Sequence, residues 1–204
     1  VLYGGTMALA REDLPRWGIT VDALDGNPEK WPSQFQDNTR VVLTEALTNP
    51  TLRSLDHRRL LEVSRAFGVT TMIDSTVPSP VNFRPLEFGY DVEIQSATKY
   101  IGGHSDVVAG AVISDADTVL RVRKMMGHLG GSLDPRACWL LQRGMKTMHL
   151  RVARQNASAT AIARFLDAHP KVDRVNYPAL TTHPDHSLAE GLFDGYGGLL
   201  SLQL

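Results

Sequence analysis

Ser96-Ala97-Thr98-Lys99-Tyr100-Ile101-Gly102-Gly103-His104-Ser105-Asp106 sets a lysine between hydroxyls, at the end of an apolar strand pattern and before a glycine pair. A lysine amine condenses with a carbonyl only when unprotonated, which calls for partial burial or nearby positive charge to lower its pKa. Asp91 to Ser96 alternates as a short strand, so Lys99 falls just past the strand's carboxyl end, where open α/β sheets place their ligands. Ser96 and Thr98 offer hydroxyls suited to a phosphate, and His104 and Ser105 add polar groups. The segment has the parts of a site for an aldehyde cofactor; the plainer reading is an exposed lysine in a polar loop.

Two further segments end in the same way. Thr70-Thr71-Met72-Ile73-Asp74-Ser75-Thr76 is an apolar strand that delivers a carboxylate. A carboxylate beside a pyridine nitrogen keeps it protonated, which is the other half of a pyridoxal phosphate site. Arg40-Val41-Val42-Leu43-Thr44-Glu45-Ala46-Leu47-Thr48-Asn49-Pro50 is again strand then polar loop, and the Asn49 amide is suited to a phenolate oxygen on such a ring. Three strand ends then face one crevice. Each of these residues also has a purely local reading, since Asn-Pro and Asp-Ser are ordinary turn and capping signals.

Positioning these groups is the task of an α/β framework. Apolar strands near residues 41–44, 70–73, 91–95 and 107–113 alternate with helical patterns, which predicts a sheet with parallel pairs. Leu60, Val63 and Phe67 share one helix face that Gly68 ends. A helix is expected over residues 116–126, and a long one from Asp134-Pro135 toward Ala168, with Leu141, Met145, Met148 and Val152 as its core stripe. His169-Pro170 ends it. Residues 172–175 and 199–204 read as strands of a second, smaller unit, which divides the chain into residues 1–150 and 151–204.

Composition excludes several classes. With 21 basic and 22 acidic side chains, and no basic stripe interleaved with aromatics, nucleic acid is not an expected partner; Arg121-Val122-Arg123-Lys124 reads as a solvated helix face. No apolar run reaches membrane-span length and no secretion signal is evident, so a cytoplasmic protein is expected. The lone Cys138 excludes an internal disulfide and suits a reducing compartment; beside Trp139 and Leu140 it is expected to pack in a helix. His183-Pro184-Asp185-His186 is read as a helix entry rather than a metal site, because Pro184 intervenes and no third ligand is near. Gly102-Gly103 lacks the wider dinucleotide fingerprint.

The same residues resemble a known family, the pyridoxal-phosphate enzymes of cysteine and methionine metabolism, along essentially the whole chain. The resemblance rests on Tyr3-Gly4-Gly5-Thr6, Glu45 to Pro50, Asp74 to Thr76, Ser96 to Asp106, Arg143-Gly144-Met145-Lys146-Thr147-Met148, Tyr177-Pro178, His183 to His186 and Gly197-Gly198-Leu199-Leu200-Ser201. It implies a fold-type I large domain with a mixed, mainly parallel sheet, plus the start of a smaller C-terminal α+β domain. It implies that Lys99 forms the carbon–nitrogen link to the cofactor aldehyde and later moves protons. By the same resemblance Asp74 holds the pyridine nitrogen, Ser96 and Thr98 bind the phosphate, Tyr3 stacks on the ring and assists the leaving group, Asn49 touches the ring hydroxyl, and Glu45 plays a supporting part. Pyridoxal 5'-phosphate is the implied cofactor and no metal is implied.

The motif Gly127 to Pro135 followed by Arg143 to Thr147 resembles the cystathionine γ-synthase and γ-lyase branch, implying γ-replacement or γ-elimination on cystathionine, O-acylhomoserine and cysteine. O-acetylhomoserine sulfhydrylase and methionine γ-lyase are the alternatives within the family, the latter disfavoured by Gly5 where such enzymes carry cysteine. A catalytically silent homologue is the non-enzyme alternative. The family works as homotetramers with active sites at subunit boundaries. Relatives also carry an N-terminal phosphate loop and a C-terminal carboxylate-binding arginine that this sequence does not include, so it reads as an internal segment. Glu45-Ala46-Leu47-Thr48-Asn49-Pro50 lacks the rigid proline that relatives place before the asparagine, and Ser75 and Val77 also depart from the pattern, which puts substrate fit in question more than cofactor chemistry.

Overall fold

β-Branched and apolar runs with polar ends form the sheet. A computed structural model describes residues 2–204. After a short helix α1 (Gly4–Ala8), tight turns and a second short helix α2 (Trp31–Gln34), the chain enters β1 (Val41–Glu45), α3 (His57–Ala66) and β2 (Thr70–Asp74). It continues through α4 (Ser79–Asn82), α5 (Pro85–Phe88), β3 (Val92–Ser96) and β4 (Gly110–Ser114). The sheet order is β1-β2-β3-β4, with β1 to β3 parallel and β4 antiparallel to β3. The mixed, mainly parallel sheet is therefore as expected, with the last strand at residues 110–114 rather than 107–113. The delay is the length of the turn after Lys99, in which Thr98 and Ala109 bond to each other across the base.

Helices follow their capping signals. Asp56 opens α3 by accepting from the Arg59 N–H at 2.9 Å, and Gly68, at φ 63°, ends it in the left-handed conformation that glycine adopts without strain. Leu60, Leu61 and Val63 are buried on its inner face, but Phe67 is not: it lies just past the last helical residue and is 47% exposed. Asp115 caps α6 (Ala116–Leu129), and Asp134 with Pro135 starts α7 (Pro135–Met145). The single helix expected from Asp134 to Ala168 is two, because Lys146 and Thr147 turn the chain before α8 (Met148–Asp167). The reorientation takes the expected stripe out of register. Val152 is fully buried, Leu141 and Met148 are half-buried, and Met145 is exposed. Cys138 is likewise exposed rather than packed.

Three apolar clusters hold these layers. Trp31, Val42, Leu60 and Val69 pack α2 and α3 on β1, and Leu47, Ile73, Phe83, Tyr90 and Phe193 lie under the carboxyl end of the sheet. The third, with Ala159, Ala163, Val175, Tyr177 and Leu180, joins α8 to the hairpin of β5 (Arg174–Asn176) and β6 (Ser201–Gln203), and takes in Leu52 from the loop after β1. The hairpin strands are shorter than residues 172–175 and 199–204 would suggest, and a short helix α9 (His186–Glu190) lies between them. Position 150 falls within the first turn of α8.

Candidate active site

Register brings the expected carboxylates together. Glu45 and Asp74 are paired residues of adjacent parallel strands, and Asp74 pairs in turn with Ile94 of β3, so Glu45, Asp74, Ile94 and Ser96 share one face at the carboxyl edge. The opposite face, with Val42, Thr44, Thr71, Ile73 and Gln95, is buried, whereas Leu43, Met72, Asp74, Ile94 and Ser96 are only half-buried. Asp74 Oδ1 accepts from the Thr76 N–H at 2.9 Å, and the Thr76 hydroxyl accepts from the Ser96 N–H at 2.8 Å. Short hydrogen bonds thus tie the ends of β2 and β3.

Lys99 sits three residues beyond β3 in a turn closed by the Lys99 N–H to Ser96 O bond at 3.0 Å and the Gly103 N–H to Lys99 O bond at 2.7 Å. Partial burial was the chemical expectation, and the turn does not provide it: Lys99 is exposed, because the turn projects past the strand ends. No carboxylate pairs with it among the described residues. Thr98 is more committed. Its hydroxyl donates to Ala109 O at 3.2 Å and accepts from the Ala109 N–H at 3.0 Å, so its proton is directed at the chain rather than outward. Ser96 is half-buried and Asn49 is exposed in the loop after β1.

Tyr3 reaches this edge through its backbone. Its N–H donates to Glu45 Oε1, its carbonyl starts α1, and its ring, 58% exposed, lies where a Cβ on Gly5 would come within 3.3 Å. A side chain at position 5 would press on that ring. Glu45 is 6% exposed, and burial raises its carboxyl above the usual range; the Tyr3 N–H opposes that shift and the neighbouring Asp74 charge adds to it. Its Oε2 has no hydrogen-bond partner among the described residues. Glu45 therefore has a definite part in anchoring Tyr3. Glu45→Ala should raise proteolytic cleavage within residues 2–8 about tenfold, the value of one hydrogen bond to a charged acceptor, while Glu45→Gln, which keeps an acceptor, should stay near the parent.

Several positioning residues carry no local sequence signal. Arg151, on α8, donates from Nη2 to Tyr100 O at 2.9 Å and Gly144 O at 2.8 Å, and the Tyr100 hydroxyl accepts from the Gly198 N–H at 2.7 Å. The turn bearing Lys99 is thereby held from α8 and from the C-terminal segment. His57, fully buried, bonds Tyr90 and the carbonyl of Ala46, the residue that follows Glu45. The ties of Arg151 to Tyr100, Gly198 to Tyr100 and His57 to Tyr90 span 51, 98 and 33 residues of sequence. The histidines of the 183–186 motif bond backbone carbonyls, and among the described residues no group of three or more His, Cys, Asp or Glu side chains is placed to hold a metal ion.

The mixed, mainly parallel sheet thus sets Lys99 and Asp74 at the ends of neighbouring strands. The donor set fits pyridoxal phosphate: an aspartate at a strand end and, as counted among the described residues, a lysine without a carboxylate partner and a buried Glu45 oxygen without a hydrogen-bond partner. The chain belongs to the Cys/Met metabolism PLP-dependent enzyme family, which it matches over residues 1–204. It is 39% identical over 205 residues to a probable cystathionine gamma-synthase of Herpetosiphon aurantiacus, covering 100% of this chain and 64% of that one. It is 36% identical to a cystathionine beta-lyase of Lactococcus lactis, covering 100% and 54%. The structure superimposes with TM-score 0.95 and 33% identity on cystathionine gamma-lyase from Lactobacillus plantarum, over 100% of this chain and 54% of that one. The chain thus spans between about half and two thirds of the length of these relatives.

Proposed function

We propose that the protein is a pyridoxal-phosphate enzyme of transsulfuration, breaking or forming a carbon–sulfur bond in cystathionine. The observation that carries the reading is the convergence of Glu45, Asp74, Ser96 and Lys99 at the carboxyl ends of three adjacent parallel strands. When bound, pyridoxal phosphate supplies an electron-accepting ring next to the substrate α-carbon. The Lys99 amine would hold the cofactor at its aldehyde carbon, and its free Nζ would take the substrate α-proton and return it further along the side chain. Asp74 keeps the ring nitrogen protonated. Ser96 holds the phosphate, with Thr98 contributing once its hydroxyl turns from Ala109. Tyr3 stacks on the ring and protonates the leaving group, and the Asn49 amide orients the ring oxygen.

The names of the relatives widen the choice of reaction. γ-Synthase and γ-lyase chemistry follows from the sequence motifs; the beta-lyase names add cleavage on the other side of the sulfur, which the motifs alone had not raised. With one water, γ-cleavage of cystathionine yields cysteine, 2-oxobutyrate and ammonia and β-cleavage yields homocysteine, pyruvate and ammonia, whereas synthesis joins O-acylhomoserine to cysteine and releases the acyl group as a carboxylic acid. Methionine γ-lyase activity ranks below these, since Gly5 stands where such enzymes carry cysteine and a Cβ there would lie 3.3 Å from the Tyr3 ring; sulfhydrylase activity stays as the alternative. We also assign a cytoplasmic homotetramer. The exposed Leu120, Leu129, Leu150 and Phe165 side chains favour further protein contacts, and the free Cys138 thiol suits a reducing compartment.

Borohydride treatment of the full-length protein with pyridoxal phosphate tests the reading. The expected result is one cofactor mass fixed on the Lys99 peptide and absent from Lys99→Ala, with 2-oxobutyrate, pyruvate or cystathionine then identifying the reaction. A protein that fixes no cofactor on Lys99 overturns the proposal and favours a silent homologue.

A further inference from the structure

Two side chains of the motif His183-Pro184-Asp185-His186 converge on one loop. That loop, residues 48–54, follows β1 and carries Asn49. Its base closes on itself: Leu52 N–H donates to Thr48 O at 2.8 Å, Thr48 N–H to Arg53 O at 3.0 Å, and Arg53 N–H to the Thr48 hydroxyl at 3.0 Å. The same base is held from more than 130 residues away in sequence. Asp185 accepts two bonds from the Arg53 guanidinium, at 2.6 and 2.9 Å, and a third from the Ser54 N–H at 2.9 Å. A bidentate guanidinium–carboxylate pair fixes direction as well as distance, and the Asp185 side chain is only 11% exposed.

His183 completes the hold. Its Nδ1 accepts from the Asp185 N–H at 3.2 Å, so Nε2 carries the proton and donates to Thr51 O at 3.3 Å. The Ser201 hydroxyl donates to Pro50 O at 2.6 Å. Between these ties Leu52 is fully buried in the cluster formed by α8 and β5, although its φ is 50°. A left-handed leucine persists only where the surroundings enforce it. The loop is therefore shaped from the C-terminal segment, in a chain that lacks the proline its relatives place before the asparagine.

We propose that Asp185 and His183 are positioning residues for Asn49, coupling the C-terminal segment to the cofactor-contacting loop. The proposal rests on the reading that Asn49 meets the ring oxygen. Both carboxylate oxygens of Asp185 are engaged by Arg53 and Ser54, so it acts through the loop and its effect requires Asn49.

A double-mutant cycle on the full-length protein separates the two. Without cofactor, Asp185→Ala and Arg53→Ala should each speed amide exchange in residues 48–54 about tenfold, and the double variant no further, with β1 to β3 unchanged. With cofactor, Asp185→Ala should lower kcat about tenfold with KM within about twofold, and should have no further effect in the Asn49→Ala background. Asp185→Glu should recover part of the loss. Exchange in residues 48–54 that stays within twofold of the parent overturns the clamp, and an Asp185→Ala effect that adds to that of Asn49→Ala overturns its action through Asn49. If no cofactor is fixed on Lys99, the functional reading fails separately, while the exchange result still decides the clamp.

Discussion

Gly144→Ala should lower Tm by about 4–8 °C, although alanine is the better helix former. Gly144 is one of two glycines inside the longer helices for which the same substitution has opposite expected signs. A Cβ at Gly144 would meet the carbonyl oxygens of Gly102 and Ile101, the latter at 2.5 Å, and these are backbone atoms that no rotamer change can move aside. Overpacking of this kind costs about 3 kcal/mol, against about 1 kcal/mol gained in helix propensity, so the clash wins by about 2 kcal/mol. At Gly127, in α6, nothing lies within 4 Å of the added carbon, and Gly127→Ala should raise Tm by about 2–4 °C. Paired thermal melts check both signs. A Gly144→Ala protein that melts at or above the parent would show that α7 can withdraw from the Lys99 turn without loss. The substitution should also reduce cofactor fixation on Lys99, because residues 101 and 102 close the turn that presents it.

Local signals explain which parts of this architecture are legible from residue order. The strand ends that deliver Glu45, Asp74 and Ser96 follow directly from apolar runs that stop at polar residues, and Asp56, Gly68, Asp115 and Asp134-Pro135 mark helix ends through side chains acting within three or four residues. The break at Lys146-Thr147 has no such marker, because both residues are tolerated in a helix and the turn is set by α7 docking Gly144 on the Lys99 turn. Phe67 shares helical spacing with Leu60 and Val63, and Cys138 lies beside Trp139 and Leu140, yet both are exposed; spacing and type do not decide burial where the helix ends or its face is left uncovered. The residues that hold the site could not be read locally, since Arg53 with Asp185, Arg151 with Tyr100 and His57 with Tyr90 are paired only by the fold.

His57 is the case with the largest pH consequence. Its ring is fully buried among Phe83, Tyr90 and Phe193, with Nδ1 2.6 Å from the Tyr90 hydroxyl and Nε2 3.4 Å from Ala46 O. One neutral tautomer satisfies both contacts: Nε2 donates to the carbonyl and Nδ1 accepts from the phenol. A second proton would turn Nδ1 into a donor and deprive the Tyr90 hydroxyl of its acceptor. Burial first of all lowers the imidazole pKa from 6.5 to about 4, with the Ala46 carbonyl and Asp56 opposing the shift. The unfolded chain therefore takes up a proton near pH 6.5 and the folded chain only near pH 4. The neutral ring's contribution is complete above pH 6.5 and is lost as pH falls toward 4, where the penalty reaches about 3 kcal/mol.

Glu45 and Glu93 work in the other direction, since burial raises their carboxyls and acidification relieves that cost in the folded state. The comparison must therefore be made against His57→Leu, which keeps the carboxylates and removes the imidazole. Denaturant midpoints measured from pH 7 to pH 4 should fall more steeply for the parent than for His57→Leu, the difference in unfolding free energy closing by about 3 kcal/mol. Tyr90→Phe separates burial from hydrogen bonding. It removes the donor to Nδ1 yet leaves the ring buried, so most of the pH dependence should survive. Parallel pH profiles for the parent and His57→Leu would mean that the imidazole takes up its proton at the same pH in the folded and the unfolded chain, so that burial does not hold the ring neutral.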